Sequence, residues 1–242
     1  SSTTSDKSIA IGHTTKATQA NTVAIGASAT AAGLNSVAMG NSASITAPTA
    51  GTTLGGQDSI AMGTGASAKQ HSSVSVGLGA SSDGVRSVAI GPKASATDED
   101  TIAIGTGGVG ADKNNQATGA NGTTVSNTTL NSVSGVNLYY GAKSSGKQSI
   151  AIGYIANAKE SGIAFGNYAV SDGGGGTAIG KSVLSRNGGV VVGQSSNAIG
   201  KNSVAYGNTV KANGETSTAM GYSATADGQN AVAVGYSNTA SN

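Results

Sequence analysis

The chain has 242 residues and a net charge of +2, with only 10% charged side chains, one Phe, no Trp and no Cys. This composition excludes an ordinary aromatic-rich core, a disulfide framework or thiolate metal site, and the basic patch that nucleic acid or an anionic membrane requires. The 39 glycines would suit disorder, but apolar triplets recurring at a fixed short period mark a solenoid instead.

Glycines that close an alternating strand fall at 12, 26, 40, 63, 77, 91, 105, 153, 166, 180, 193, 207, 221 and 235. Nine of the thirteen intervals between them are 14 residues and two are 13; the others are 23 and 48. In Ser36-Val37-Ala38-Met39-Gly40, Val37 and Met39 share one face while Ser36 and Ala38 share the other. A second short alternating segment follows, as in Ala27-Ser28-Ala29-Thr30-Ala31, and Gly33, Gly84, Gly214 and Gly228 punctuate the return. Each period therefore reads as strand, turn, strand, turn. The fold class is all-β, a parallel β-roll of about 14 residues and two short strands per coil, stacked at about 4.8 Å. The large apolar residues, such as Ile90 and Ile104, are expected to point into the coil. The small, uncharged face carried by Ser36 and Ala38 is then expected to pack against another chain.

Repeat coils span residues 8–105 and 149–236. A small loop insertion at 45–57 contains Pro48, and a larger one at 106–148 contains Val125, Leu130, Val133, Val136, Leu138, Tyr139 and Tyr140. The larger insertion is expected to project from the rod as one or two short hairpins. Tyr139, Tyr140, Lys143 and Lys147 are its candidate ligand contacts, although the two tyrosines also suit a small core for the insertion. No apolar run approaches the roughly 20 residues of a membrane span. No apolar leader follows Ser1-Ser2-Thr3-Thr4; both ends fall close to a repeat, so the chain is read as a segment of a longer protein, with no membrane contact expected of its own.

Chemistry-bearing motifs lack their context. Gly105-Thr106-Gly107-Gly108-Val109-Gly110 fits a dinucleotide fingerprint, but no apolar helical pattern follows it. Gly141-Ala142-Lys143-Ser144-Ser145-Gly146-Lys147 resembles a phosphate loop, but Gln148 stands where Ser or Thr should bind magnesium. His13 and His71 read as turn residues rather than metal ligands, and Asp98-Glu99-Asp100 as a solvated acidic turn rather than a cation site. No Ser/His/Asp set can be assembled from neighbouring coils. The expectation is a non-enzyme without metal or cofactor.

Asn35-Ser36-Val37-Ala38-Met39-Gly40 and Asn202-Ser203-Val204-Ala205-Tyr206-Gly207 closely match the Asn-Ser-Val-Ala-Ile-Gly motif of YadA-like head domains. The small-residue second strand at period 14 matches as well. Over residues 8–105 and 149–236 the chain resembles the head of a trimeric autotransporter adhesin, and 1–242 is read as one such head. The resemblance implies a left-handed roll, a homotrimer, and an extracellular passenger segment at the outer-membrane surface of a Gram-negative cell. It also implies adhesion to host matrix proteins such as collagen, fibronectin or laminin. The alternatives are an ice-binding roll, which would need regular outward Thr ranks, and a purely structural spacer.

Overall fold

The computed structural model describes residues 1–3, 6–47, 55–105, 117–118, 124–125 and 142–241. Among these residues there is no helix, and the chain winds as a parallel β-solenoid. Long strands such as Val23–Ile25, Val37–Met39 and Val88–Ile90 stack into a 14-stranded sheet. Short strands such as Thr30–Ala31 and Ser95–Ala96 stack into a 15-stranded sheet. The register never shifts: Val74 pairs with Val88, Val88 with Ile102, and Ile102 with Ile150.

The last of those steps crosses the large insertion. The coil before residue 106 is hydrogen-bonded directly to the coil after 141, through the Ser95 N–H to the Ala142 carbonyl at 2.9 Å and the Ile102 N–H to the Ser149 carbonyl at 3.0 Å. Lys143–Ser145 pairs with Ser95–Ala96, so residues 142–148, which glycine spacing grouped with the insertion, form part of a coil. Ser44–Ile45 is likewise a strand of the roll, with Ile45 fully buried. Within the insertion, Ala117–Thr118 pairs antiparallel with Thr124–Val125. Tyr139 and Tyr140 lie outside the described residues.

The two faces of the strands are the reverse of the expectation. Ser36 and Ala38 have no exposed surface, and neither do Ala89 and Ala103, whereas their neighbours Ile90 and Ile104 point outward. Alanine and serine also fill the facing side of the short strands, at Ala31, Ala96, Ser144 and Ala158. The reason is volume. Two strands joined by tight turns enclose too little width for two layers of isoleucine, so the coil closes on methyl and hydroxymethyl groups at interior packing density. Most buried hydroxyls are satisfied locally, those of Ser75 and Ser203 excepted: Ser36 donates to the Gly33 carbonyl at 2.5 Å, Ser87 to Gly84 at 2.7 Å, and Thr101 to Asp98 at 2.7 Å.

Turns recur twice per coil. Asn21, Ser28, Asn35 and Ser42 all have φ between 52° and 58°, and Ser72, Arg86, Lys93 and Asp100 between 54° and 61°. Left-handed residues seven apart divide each coil into two similar halves, each a strand followed by a tight turn. Most side chains disfavour this region, and asparagine, aspartate and glycine tolerate it best. The closing glycines have a different cause. A Cβ on Gly26, at φ +127°, would stand 2.5 Å from the Gly40 carbonyl oxygen of the next coil.

Candidate functional site

With the small residues inside, the long-strand sheet presents its large apolar residues to the outside. Two columns run its length, one through Val23, Val37, Ile60 and Val74, the other through Ile25, Met39, Met62 and Val76. Neither column holds a charged residue in any of the fourteen strands; Thr177 and Thr218 are the polar positions. Exposure is substantial, at 37% for Ile90, 52% for Phe165 and 63% for Val232. At about 4.8 Å per coil the ribbon is roughly 60 Å long. Soluble monomers rarely expose a contiguous apolar surface of that size.

The opposite sheet is polar. Its outward positions run Thr30, Ser44, Ser67, Ser81 and Ser95, then Lys143. Ser28 and Lys93 occupy the left-handed turns that precede these strands. Ion pairs among the described residues join vertically adjacent coils. Lys69 meets Asp83 at 2.9 Å, Lys159 meets Asp172 at 2.8 Å, and Arg86 meets both Glu99 at 2.5 Å and Asp100 at 2.6 Å. The hydrogen bonds from Arg86 hold both carboxyls below the ordinary carboxylate range, and Lys147 adds to the effect on Glu99. Asparagine side chains link adjacent coils in the same way, Asn21 donating to Asn35 at 2.9 Å and Asn35 to the Asp58 carboxylate at 3.0 Å.

Lys143 lies half-buried on the outward side of its strand, and burial, with the charge of Lys159, pushes its ammonium pKa down. Lys147 sits in the following turn, 3.3 Å from Glu99. The two lysines thus belong to neighbouring positions at the seam where the insertion meets the roll. The phosphate-loop-like segment around them is strand and turn, and the strand Ile150–Ile152 follows it where a helix would be needed. Asp98, Glu99 and Asp100 occupy a turn in which Asp98 accepts the Gly146 N–H at 2.7 Å. His13 is exposed, and His71 stands 3.7 Å from Asp58. No three His, Cys, Asp or Glu residues among those described are grouped to hold a metal ion, and no described helix is long and apolar enough to cross a membrane.

Sequence reasoning missed the aromatic pairs on the rim. Tyr154 and Tyr168 meet edge-on at 5.5 Å, and Tyr222 and Tyr236 stack at 5.2 Å with planes 5° apart. The signal was present: Tyr154, Tyr222 and Tyr236 each follow a closing glycine, and the stacked pair is one coil apart.

A comparison with curated proteins returned no match. The family model for the YadA head domain repeat matches residues 4–29, 17–43, 55–80, 82–107, 140–156, 144–162, 187–209 and 212–238. These segments cover both arms of the solenoid and resume directly after the insertion, as the strand ladder does. A match over more than half of the chain, on coils with this strand order, settles its kinship: the chain belongs to the YadA head domain repeat family.

Proposed function

We propose that the chain is the head of a trimeric autotransporter adhesin, a non-enzymatic binding module displayed at the outer surface of a Gram-negative cell. Three copies pack their long-strand sheets around a common axis as left-handed rolls. The short-strand sheets then face outward and adhere to host surfaces, with matrix proteins such as collagen, fibronectin or laminin as the target class. The observation that carries this reading is the two-column apolar ribbon, which runs through the stacked coils and has no partner among the described residues. The family's role as an adhesin head supports the rest. Lys143 and Lys147, beside the insertion that holds Tyr139 and Tyr140, are proposed contacts because recognition concentrates on loops carried by rigid scaffolds.

Sedimentation equilibrium tests the assembly and should return about three times the 23.0 kDa chain mass. Competition by the soluble head tests adhesion, and it should reduce attachment of bacteria carrying the full protein to immobilised matrix proteins. A persistent monomer at micromolar concentration overturns the assembly, while a trimer that competes with nothing is a spacer.

A further inference from the structure

The two long edges of the apolar ribbon differ in chemistry. Each long strand is entered from one turn and left, past its closing glycine, through another. The entry edge is charged. Arg86, Glu99, Asp100 and Lys147 are paired along it, while Glu160 and Glu215 stand exposed on it and take no part in the ion pairs between described coils. The exit edge has no acidic residue among those described, and it is aromatic. Tyr154, Tyr168, Tyr222 and Tyr236 lie on it, and Phe165 and Tyr206 lie in the ribbon column beside it. The entry edge holds no described tyrosine or phenylalanine.

The exit edge also holds an energetic anomaly. At the left-handed position of this turn, other coils place small residues such as Ser28, Ser42, Gly65, Gly79, Ser182 and Ser195. Two adjacent coils place Ile155 there at φ 54° and Tyr168 at φ 55°. A β-branched side chain is among the least suited to that region. Tyr168 remains 45% exposed even with the Tyr154 ring edge-on against it at 5.5 Å, so its own chain gives the ring little cover. Strain kept at one spot, with so little burial in return, points to a contact made outside the chain.

Geometry and charge together say what covers this edge. Rotation about an axis parallel to the stack preserves height and brings the exit edge of one copy to the entry edge of the next. Glu160 precedes the strand Ile163–Phe165 and Tyr168 follows it; Glu215 precedes the strand Thr218–Tyr222, which Tyr222 ends. Each of these tyrosines therefore comes level with a carboxylate of the neighbouring copy. The chain has three glutamates, and the third, Glu99, is already held by Arg86 and Lys147. A phenol donates to a carboxylate in a short, charge-assisted bond, and tyrosine is enriched among the residues that dominate interfaces. We propose that the aromatic edge of each copy closes on the charged edge of the next, with Tyr168 donating to Glu160 and Tyr222 to Glu215 across the contact and Ile155 packed against the neighbour. The proposal deepens the trimer reading and rests on it, since it names which edges meet when the ribbons assemble.

Cross-linking tests it cleanly, because the chain has no cysteine of its own. The whole chain carrying Glu160→Cys and Tyr168→Cys together, treated with a short bismaleimide, should give dimer and trimer bands on a denaturing gel. Within one chain the two positions stand on opposite edges of the sheet, so each single variant should run as a monomer. Ile155→Asn, which suits the left-handed turn, should weaken association about tenfold per contact in sedimentation equilibrium. In a chain made monomeric by Ile90→Asp, the same substitution should leave the melting temperature equal or higher. A trimer that gives no cross-link overturns the pairing of edges and leaves the assembly standing. A lower melting temperature in the monomer shows that Ile155 serves its own coil, and it overturns the strain argument. Undiminished association of Ile155→Asn together with lost adhesion assigns the edge to the target and also overturns the proposal. A wild-type monomer removes the assembly itself, and this contact with it.

Discussion

The inversion of the coil is tested by a pair of neighbouring substitutions, Ala89→Leu and Ile90→Asp. Ala89 is fully buried between Ser75 and Ala103 of the adjacent coils. Leucine adds three carbons where the facing strand leaves room for a methyl. Overpacking typically costs about 1–3 kcal/mol, and a core this thin belongs at the upper end, about 3 kcal/mol. For a chain of this size that lowers the melting temperature by about 6–12 °C. Ile90, at 37% exposed, tolerates a carboxylate in an isolated chain at little cost. In a trimer the same substitution places three unpartnered carboxylates against one apolar seam, each costing several kcal/mol. Circular dichroism melting and sedimentation equilibrium read the two effects separately. Ala89→Leu should lose thermal stability, and Ile90→Asp should sediment as a folded monomer. A wild-type melting curve for Ala89→Leu would refute the alanine core, and a stable Ile90→Asp trimer would refute the ribbon as the assembly face.

Gly26→Ala should cost about 2–4 kcal/mol, because a positive φ and a carbonyl 2.5 Å from the new Cβ act together; urea unfolding measures it. Ser36→Ala removes the hydroxyl that donates to Gly33 and should lower stability by about 1 kcal/mol in the same assay. Acid should expose the Arg86 pairs. Glu99 and Asp100 have folded pKa values below their unfolded ones, so their contribution is complete above the ordinary carboxylate pKa of about 4. It is lost as pH falls through the lowered folded values. Arg86→Gln should therefore melt lower than wild type at neutral pH, with the difference shrinking below about pH 4 and in high salt.

The architecture was legible because its signal is periodic. Ser36-Val37-Ala38-Met39-Gly40 alternates as a strand must, and the 14-residue spacing of such segments gave the stack, its register and the points where insertions leave it. Which side of the strand faces in was not legible by the usual rule that larger apolar residues are buried. Alternation fixes two faces without labelling them, and the label depends on the width of the coil, a property of two strands and their turns together. One clue lay in the short strands. Ala29 and Ala31 already share a face, and alanine opposite alanine closes a coil that alanine opposite isoleucine does not. The seven-residue spacing of the turns was hidden for another reason. Asn35, Ser42, Arg86, Lys93 and Asp100 share a backbone conformation but no side-chain chemistry. The charged column of Lys159, Asp172 and Arg186 lies in coils where two intervals drop to 13 residues, and its members sit in different strands, so only the ladder brings them together.

The unshifted register has a consequence for how such a head can change over generations. The upper edge of each coil matches the lower edge of the next, as Val74, Val88 and Ile102 show. Duplicating or deleting one unit in frame therefore restores both edges and moves every column by one place. Copying errors of that length are structurally silent except that the rod grows or shrinks by about 4.8 Å. Reach from the cell can then drift or be selected one increment at a time, while the fold stays as it was.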